Sequence, residues 1–403
     1  MYKAPVKSKR TSKEVQRMIG QVAGKHPGPT VVFFGGIHGN EPAGVIALEK
    51  VFFKLQSQAS NDCQGKFIGL RGNLMALKKK IRFVDEDLNR IWFPHRLANL
   101  EQPENDQSVE AKEMHELHQC ILDILETASP PFYFIDLHTT SGVTQPFIVV
   151  NDSLLNRRFT SGYPLPVILG IEEYLTGALL SYINELGYVA FGYESGKHED
   201  PAAIVNAENF IWYTLGLTGF YPIAEGAMEK ARLILHKTGE TSKRFYEIYH
   251  QYLIGKGAYF KMLPGFENFQ IVPKGQAIAI NGGGTIFTKK ERQLFMPLYQ
   301  DKGKEGFYFI RSVPRFFLWL SKYLRKRKAD ALLVAFPGIR WASSKKEAIL
   351  VDRRIARFYA KSIFHLLGYR TREVGKHLFI LKNRERSSRH SEYAHAGWLK
   401  KRS

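Results

Sequence analysis

Cysteine is scarce in this sequence: among 403 residues only Cys63 and Cys120 occur. Two cysteines are too few for a disulfide framework or for a zinc site built on thiolates. No apolar run approaches the ~20 residues that a transmembrane helix needs. Residues 1–20 are polar and basic, whereas a secretory signal would carry an apolar segment there. The sequence therefore predicts a cytoplasmic globular protein without a membrane-spanning segment.

Acidic residues are sparse in the last fifth of the chain. Residues 320–403 hold 22 Lys and Arg but only 6 Asp and Glu, which is +16 of the total net charge of +20. The +4 left for residues 1–319 is ordinary for a globular protein. The basic segment has two interpretations: a contact surface for RNA, DNA or an anionic membrane, or an appended unit that packs its apolar face on the rest of the protein. We favour the second.

Short apolar runs alternate with helical periods through the first half of the chain. Runs that predict strands occupy residues 30–34, 66–70, 132–135, 147–150, 167–171 and 188–193. Stretches with the period of amphipathic helices occupy residues 43–55 and 109–125. This alternation is typical of an α/β protein, here with a mixed sheet flanked by helices.

The rest of the chain has a different character. From residue 257 onward, short strands with paired glycines and prolines predict a small β domain. Basic amphipathic helices are predicted at residues 316–328 and 353–367, and a frayed polar tail at residues 387–403. The predicted domains are an α/β domain, a small β domain and a basic helical extension, over residues 1–256, 257–315 and 316–403. The oligomeric state cannot be read from the sequence.

Two histidines and a glutamate follow predicted strands. His38-Gly-Asn-Glu41 comes after the strand at 30–34, and His138 ends the run that begins at residue 132. Two imidazoles and a carboxylate make a three-ligand set that leaves one zinc position open, although other divalent ions also suit it. Taken alone, His38 and Glu41 equally fit a surface histidine and a glutamate that opens a helix. The flanking glycines, which allow close backbone approach, and the second histidine favour a metal site.

Two further polar strings need an interpretation. His115-Glu-Leu-His118 resembles a helical zinc motif but is one residue short, so we interpret it as a solvated helix face. Residues 82–90 concentrate Arg82, Asp87, Asn89 and Arg90 between hydrophobic residues. They fit a loop of surface charges, but beside a metal site they favour a clamp for a substrate carboxylate.

Together these strings resemble the succinylglutamate desuccinylase/aspartoacylase family, relatives of the zinc carboxypeptidases. The matching signatures are His38-Gly-Asn-Glu-Pro-Ala-Gly44, Arg71-Gly-Asn73, Asp87-Leu-Asn-Arg90, Asp136-Leu-His-Thr-Thr140 and Glu194-Ser-Gly196. Pro264-Gly-Phe-Glu-Asn-Phe269 and Met296-Pro-Leu-Tyr-Gln300 resemble that family's C-terminal β domain. The resemblance covers residues 28–313 and leaves the basic end of the chain unexplained.

The resemblance implies roles for individual residues. One Zn²⁺ per chain would be bound by His38, Glu41 and His138, with Glu194 as general base and later general acid. Arg82 would polarise the scissile carbonyl. The carboxylate of the amino-acid half would be held by Asn89 and Arg90, and the supporting acidic residues would be Asp87 and Asp136.

Several assignments have competitors. Glu225, in Ala-Glu-Gly226, is an alternative to Glu194 as the base. Asp200-Pro201 before an apolar stretch is typical of a helix start, so we assign a structural role to it and to His198. Tyr299, in the predicted β domain, has two interpretations: a residue that contacts the substrate, or an ordinary tyrosine of the core or surface.

The function that follows is hydrolysis of a small anionic substrate. We expect a zinc-dependent amidohydrolase that removes an acyl group, such as succinyl or acetyl, from an N-acyl amino acid. The nearest enzyme alternative is a zinc metallocarboxypeptidase that acts on peptides. A different class of function is binding of a polyanion or membrane surface through the basic C-terminal segment.

Overall fold

The computed structural model describes residues 15–57, 62–98, 108–222, 225–237, 245–342, 344, 346–352, 354–355, 361–373 and 378–400. Its strands are β1 (Met18–Ala23), β2 (His26–Gly35), β3 (Gln64–Arg71), β4 (Phe132–Thr140), β5 (Phe147–Val150), β6 (Val167–Leu169), β7 (Val189–Lys197), β8 (Phe245–Leu253), β9 (Phe260–Met262), β10 (Ile271–Val272), β11 (Ala277–Asn281), β12 (Gly284–Phe287), β13 (Arg292–Phe295), β14 (Glu305–Ser312), β15 (Ile339–Trp341), β16 (Ala348–Asp352), β17 (Tyr369–Glu373) and β18 (Leu378–Asn383).

The helices cover the sheets and connect the strands. They are α1 (Ala43–Ser57), α2 (Leu74–Lys79), α3 (Pro94–Ala98), α4 (Val109–Thr127), α5 (Leu154–Thr160), α6 (Leu179–Glu185), α7 (Pro201–Thr218), α8 (Glu225–Lys237), α9 (Arg315–Lys326), α10 (Lys361–Leu366), α11 (Arg384–Ser387) and α12 (Gly397–Lys400).

An eleven-stranded mixed sheet organises the molecule, with the order β1-β3-β2-β4-β7-β5-β6-β8-β14-β13-β10. Its centre is parallel, because β2 pairs in parallel with β3 and β4, and β4 pairs in parallel with β7. Antiparallel pairs border this centre on both sides, β1 with β3 and β5 with β7. The carboxyl ends of β2, β4 and β7 therefore meet at one edge, where open α/β sheets hold their sites.

Alternate residues of the central strands enter two separate cores. On β2, Val31 and Phe33 belong to the core that contains α1 and α7, while Val32 and Phe34 belong to the core that contains α4. Strands buried on both faces have continuous apolar runs, because side chains alternate between the faces. This explains why apolar runs predicted the central strands, and it confirms the predicted α/β fold with a mixed sheet flanked by helices.

Residues 257–315 contribute to two sheets. Strands β9, β11 and β12 form a small sheet of their own, with the order β12-β11-β9. Strands β10, β13 and β14 instead continue the large sheet beyond β8. The predicted short strands are therefore present, and part of them extends the main sheet instead of standing apart from it.

The C-terminal extension is not only helical, which corrects the prediction for residues 316–403. Helix α9 is present as predicted, but β15, β16, β18 and β17 add a four-stranded antiparallel sheet. The predicted helix at 353–367 is described only in part: α10 lies within it, while residues 353 and 356–360 lie outside the described residues. The alternation of apolar and basic residues in Ile339–Trp341 is typical of a half-buried antiparallel strand. The helical prediction did not use this signal.

The predicted frayed tail is wrong up to residue 400. Tyr393 and Trp398 are buried in the core beneath α1, α5 and α7. Trp398 Nε1 donates to the Tyr133 hydroxyl over 2.8 Å. The Tyr393 hydroxyl accepts from the amide of Val189 at 2.9 Å and donates to the carbonyl of Phe132. Tyr393 and Trp398 therefore attach the C-terminal segment to the core, although its polar composition predicted an exposed tail. Residues 401–403 lie outside the described part.

Among the described residues, no helix is both long enough and apolar enough to cross a lipid bilayer.

Candidate active site

A glycine-rich loop joins β2 to α1 and carries the first two candidate ligands. His38 and Glu41 lie in this loop, and the amide of Glu41 donates to the carbonyl of His38 over 3.1 Å. The loop lies directly against α2. A Cβ atom built on Gly39 would lie 2.0 Å from the carbonyl carbon of Ala76, so no side chain fits there. Glycine is required because the loop must pass this close to another backbone.

Glu41 lies between the two predicted histidines. Its Oε1 atom is 2.9 Å from His38 Nδ1, and its Oε2 atom is 2.9 Å from His138 Nδ1. One donor atom from each of the three residues lies within 4.8 Å of the others, and all three residues are buried. The structure thus brings together His38 and Glu41 from one loop and His138 from the end of β4, about a hundred residues away in the sequence.

Each imidazole has a second carboxylate on its other nitrogen. His38 Nε2 is 3.0 Å from Asp87 Oδ1, and His138 Nε2 is 2.6 Å from Asp136 Oδ2. This arrangement fixes the orientation of both rings and leaves each Nδ1 atom facing the Glu41 carboxylate. Histidines that bind metal commonly donate their other N–H to a carboxylate in this way.

The residues present fit a zinc ion. Burial opposes ionisation of Glu41, but the charges of His38 and His138 outweigh it and hold the pKa of Glu41 well below its usual value. A carboxylate and two oriented imidazoles are the donors zinc prefers, and three protein ligands are typical of a catalytic zinc. Within the described residues, this is the one group of histidine, cysteine and acidic side chains with such spacing.

Arg82 lies beside this group. Its Nη2 atom donates to Asp87 Oδ2 over 3.2 Å, and its Nη1 atom donates to Glu41 Oε1 over 3.4 Å. The guanidinium also lines the cavity described below. Asp87 therefore orients two functional candidates at once, His38 and Arg82. The sequence placed Arg82 and Asp87 in one string but did not show that Asp87 also contacts His38.

Glu194 lies on β7, next to His138. The two residues are register partners in neighbouring parallel strands, β4 and β7. The Oε2 atom of Glu194 is buried without a hydrogen-bond partner among the described residues. Burial is the main reason that the pKa of Glu194 is raised to about 7. A carboxylate with a pKa near neutrality suits a group that takes up and releases a proton.

Asn89 and Arg90 also line the cavity described below. The Oδ1 atom of Asn89 accepts from the amide of Leu179 over 3.1 Å, which fixes the side chain. Arg90 Nη2 lies 3.8 Å from Glu305 Oε1, a long contact with an acidic residue of β14. Arg90 Nη1 also donates to the carbonyl of Asn89 over 3.2 Å, and Arg90 contributes to the cavity wall.

One cavity connects all seven predicted site residues. Its volume is about 150 Å³, and His38, Glu41, Arg82, Asn89, Arg90, His138 and Glu194 all contribute to its wall. The rest of the wall mixes polar residues, such as Asn151, Glu172 and Ser181, with apolar ones. The apolar contributors include Val149, Ile171, Leu175, Leu180 and Met296.

His198 belongs to the cavity wall, a position that its assignment to a structural role did not anticipate. Its Nδ1 atom is 2.7 Å from Thr139 Oγ1, and its Nε2 atom is 3.4 Å from Gln300 Oε1. Burial is the largest cause of its lowered pKa. Asp200 does have the predicted role, because its side chain caps α7 by accepting from the amide of Ala202 over 2.8 Å.

The wall also contains Gln300, Glu305 and Tyr308 from the second half of the chain, which sequence reasoning missed. The segment Met296–Gln300 was recognised, and Gln300 ends it, so that motif was the available signal. Tyr299 is directed elsewhere: its hydroxyl donates to the carbonyl of Leu263 over 2.7 Å and accepts from the amide of Phe266 over 3.0 Å.

The described pair His115 and His118 is not part of the cavity wall. His118 is half-buried on α4, with Nε2 2.9 Å from the Tyr182 hydroxyl, so the face with His115 is packed and not solvated. Glu225 is the first residue of α8, and its side chain lies outside the described part of the structure.

The comparisons with known proteins agree with this geometry. Residues 27–201 match the family model described as the succinylglutamate desuccinylase/aspartoacylase catalytic domain. An N-acyl-aromatic-L-amino acid amidohydrolase (carboxylate-forming) from Xenopus tropicalis is 35% identical over 120 residues, which is 30% of this chain and 36% of that protein. The match thus spans about a third of the length of this curated relative.

Solved structures share the fold. A succinylglutamate desuccinylase from Vibrio parahaemolyticus is 15% identical, with a TM-score of 0.52 over 73% of this chain and 86% of that chain. A succinylglutamate desuccinylase/aspartoacylase from Rhodobacter sphaeroides is 17% identical, with a TM-score of 0.52 over 73% of this chain and 88% of that chain. The resemblance predicted from the motifs is confirmed, because residues 27–201 match the model of the succinylglutamate desuccinylase/aspartoacylase catalytic domain.

Proposed function

We propose that this protein is a zinc-dependent amidohydrolase that removes the acyl group from an N-acyl amino acid. One observation carries the proposal. His38, Glu41 and His138 converge in a cavity that also contains a buried, unpartnered carboxylate oxygen of Glu194. A site for a divalent ion beside a base that is not one of its ligands is an arrangement that supports amide hydrolysis by water.

The zinc ion would be held by His38, Glu41 and His138, one ion per chain. When bound, zinc supplies Lewis acidity, which lowers the pKa of water and polarises a carbonyl group. Asp87 and Asp136 would keep both imidazoles oriented through their Nε2 atoms.

Glu194 moves the proton. Its Oε2 atom has no partner among the described residues, so it is available to accept a proton from the attacking water. The protonated carboxyl then delivers this proton to the leaving nitrogen, which could not depart as an amide anion. Its raised pKa lets the same side chain act as base and acid near neutral pH.

Arg82 stabilises the charge that develops on the substrate. Attack on the amide builds negative charge on the carbonyl oxygen, and a fixed guanidinium can bind that oxygen without reorganisation. The bond to Asp87 holds Arg82 in place before substrate arrives.

Asn89 and Arg90 hold the carboxylate of the amino-acid half. A guanidinium binds a carboxylate through two parallel hydrogen bonds, which fixes orientation as well as position. The 3.8 Å contact with Glu305 is long enough for a substrate carboxylate to displace it.

The side-chain half of the substrate is apolar in this proposal. Val149, Leu175 and Leu180 are among the residues that line the cavity, and burial of apolar surface against them would favour aliphatic or aromatic groups. The Xenopus tropicalis relative has N-acyl-aromatic amino acids in its name. N-acetyl or N-succinyl derivatives of aromatic amino acids are therefore the first substrates to test.

The carboxypeptidase alternative requires room for a peptide. Met296, Pro297, Leu298, Gln300 and Gly303, all from the second half of the chain, form part of the cavity wall. A cavity closed in this way favours a small N-acyl amino acid over a polypeptide.

A hydrolysis screen tests the proposal. The protein would be assayed with N-acetyl and N-succinyl derivatives of phenylalanine, tyrosine, aspartate and glutamate, and with peptides that end in the same residues. We expect release of the free aromatic amino acid, loss of activity with a chelator, and recovery with zinc. Cleavage of the peptides alone would favour the carboxypeptidase, and full activity in the chelated protein would overturn the metal mechanism.

A further inference from the structure

Helix α9 is anchored to the protein by one face. Ser321 Oγ donates to the carbonyl of Leu366 over 2.8 Å. Arg325, whose side chain is completely buried, donates to the carbonyls of His365 and Leu366 and to Asp152 Oδ2 over 2.7, 3.1 and 3.0 Å. Ser321 and Arg325 are four residues apart, so they share one side of the helix. This side packs on the rest of the protein.

The opposite side of α9 exposes three aromatic residues, Phe316, Trp319 and Tyr323, which we name the aromatic stripe. They are 61, 58 and 43% exposed, and Phe317, at the start of the helix in the row of Ser321, is 47% exposed. The Trp319 ring lies 6.0 Å from Phe316 and stacks on Tyr323 at 5.8 Å, so the stripe is continuous. Contiguous exposed apolar surface of this kind marks an interaction site more often than scattered single residues do.

Further apolar side chains follow the helix. Leu332 and Phe336 lie in the next turns of the chain and are exposed by 68 and 49%. Of the five tryptophans, all within the described residues, Trp319 alone is exposed. The exposed apolar surface therefore extends beyond α9 itself.

Positive charge surrounds the stripe. Residues 315–328 contain no acidic residue, and five of their basic residues are exposed: Arg315, Lys322, Lys326, Arg327 and Lys328. The Arg327 guanidinium carbon lies 4.5 Å from the centre of the Tyr323 ring. The surface thus combines bulky apolar groups with neighbouring cations.

We propose that the aromatic stripe and its basic border bind the surface of an anionic phospholipid membrane. A basic amphipathic helix with aromatic residues on its apolar side lies in the plane of a bilayer, with the rings at the headgroup level and the cations on anionic lipids. The twelve residues of α9 are too few to cross a bilayer but suit this orientation. The anchored inner face would keep the rest of the protein at the membrane surface.

Two other occupants fit this surface less well, a second copy of the chain and single-stranded nucleic acid. A second copy of the chain would bring its own basic border against this one, and like charges across an interface are unfavourable. Single-stranded nucleic acid would stack bases on free aromatic faces. Trp319 and Tyr323 instead stack on each other, and Leu332 adds apolar surface that base stacking does not use.

The test is sedimentation of the full-length protein with lipid vesicles. We expect binding to vesicles of phosphatidylcholine and phosphatidylglycerol in equal amounts, weak binding to phosphatidylcholine alone, and weakening with salt. Trp319 fluorescence should shift to shorter wavelength on binding. The double variant Phe316→Ser, Trp319→Ser should lower the vesicle partition coefficient about tenfold or more, because two rings leave the lipid.

A second variant separates charge from apolar contact. Lys322→Glu with Lys326→Glu should abolish the preference for phosphatidylglycerol. The matched control is Lys50→Glu with Phe53→Ser, which changes an exposed lysine and an exposed phenylalanine on α1 and should leave partitioning unchanged.

Several results would overturn the proposal. They are no binding to the anionic vesicles, equal binding by the stripe variants and the wild type, and self-association that the stripe variants abolish. Tight binding of an oligonucleotide that the same variants remove, without vesicle binding, would identify nucleic acid as the partner instead. None of these outcomes depends on the proposed enzymatic activity, because each readout is physical binding.

Discussion

His138 and Glu194 occupy the same register position on β4 and β7, two neighbouring parallel strands. Side chains at matching positions of adjacent strands emerge on the same face of a sheet. Backbone pairing alone therefore places a candidate metal ligand beside a candidate proton carrier. The separation of the His138 and Glu194 side chains is therefore set by the spacing of β4 and β7 and does not depend on a loop.

Replacement of Glu194 by glutamine should separate metal binding from turnover. We expect Glu194→Gln to retain zinc but to lose about a hundredfold to ten-thousandfold in kcat, because glutamine keeps the shape but cannot carry the proton. Elemental analysis and steady-state kinetics measure the two quantities. Near-normal turnover would exclude Glu194, and Glu225→Gln would then be the variant to test.

Loss of Asp136 should weaken metal binding. Its Oδ2 atom is 2.6 Å from His138 Nε2, and supporting carboxylates of this kind contribute to ligand orientation. We expect Asp136→Asn to lower zinc affinity about tenfold to a hundredfold in competition with a chelator. Asp123→Asn, an exposed carboxylate on α4, is the control. Equal affinity in both variants would contradict the supporting role.

Arg90 should affect substrate affinity more than turnover. Removal of its guanidinium would cost a charge-assisted hydrogen bond to the substrate carboxylate, so Arg90→Ala should raise KM about tenfold to a hundredfold. Initial-rate kinetics with an N-acyl aromatic amino acid measure this. An unchanged KM would remove the clamp assignment.

Trp398 should be important for stability despite its place near the chain end. Its ring is buried and its Nε1 atom donates to Tyr133. We expect Trp398→Ala to lower the free energy of unfolding by about 3 kcal/mol, since a buried ring and a hydrogen bond are lost. The exposed Trp319→Ala should change it by less than about 0.5 kcal/mol. Equal denaturation midpoints for the two variants would mean that the tail does not dock.

Arg325 should stabilise the protein in a pH-dependent way. It contacts Glu385 Oε1 over 3.0 Å as well as Asp152. Burial opposes ionisation of Glu385, but His390 and Arg325 outweigh it and hold the pKa of Glu385 below its usual value. Asp152 keeps Arg157 and Glu385 keeps His390 as partners, but loss of the buried Arg325 removes a cation that both carboxylates share, so Arg325→Met should cost about 3 kcal/mol at neutral pH.

The sign of the pH effect follows from the lowered pKa of Glu385. A carboxylate with a lowered folded-state pKa contributes its full stabilisation above the unfolded pKa and loses it as the pH falls through the folded value. The gap between wild type and Arg325→Met should therefore narrow at acidic pH. Chemical denaturation across the acidic range measures the gap, and a constant gap would contradict the role of ionised Glu385.

Local sequence pattern predicted much of the candidate site. His38, Glu41 and His138 each follow an apolar run that forms a buried strand, so the carboxyl edge of the sheet was a reasonable place for them. Asn89 and Arg90 were found through their motif. His198 was misplaced because the neighbouring Asp200 has a genuine capping role, which gave a sufficient local explanation for the segment.

The C-terminal part was predicted less well. Strands β15 and β17 contain basic residues, whereas β16 and β18 begin with short apolar runs, and the helical prediction for this segment included none of the four strands. Tyr393 and Trp398 are isolated aromatics in a polar segment, and their burial depends on a pocket formed by residues far away in the chain. No local period could reveal it.

The sequence by itself determined which groups are candidates for the chemistry and which central strands are buried, because apolar runs and glycine turns act over a few residues. Only the tertiary structure decided which carboxylate orients which imidazole, which residues close the cavity, and that the last aromatic residues dock in the core. Those contacts join residues separated by tens to hundreds of positions, and they form only when distant apolar surfaces are buried together.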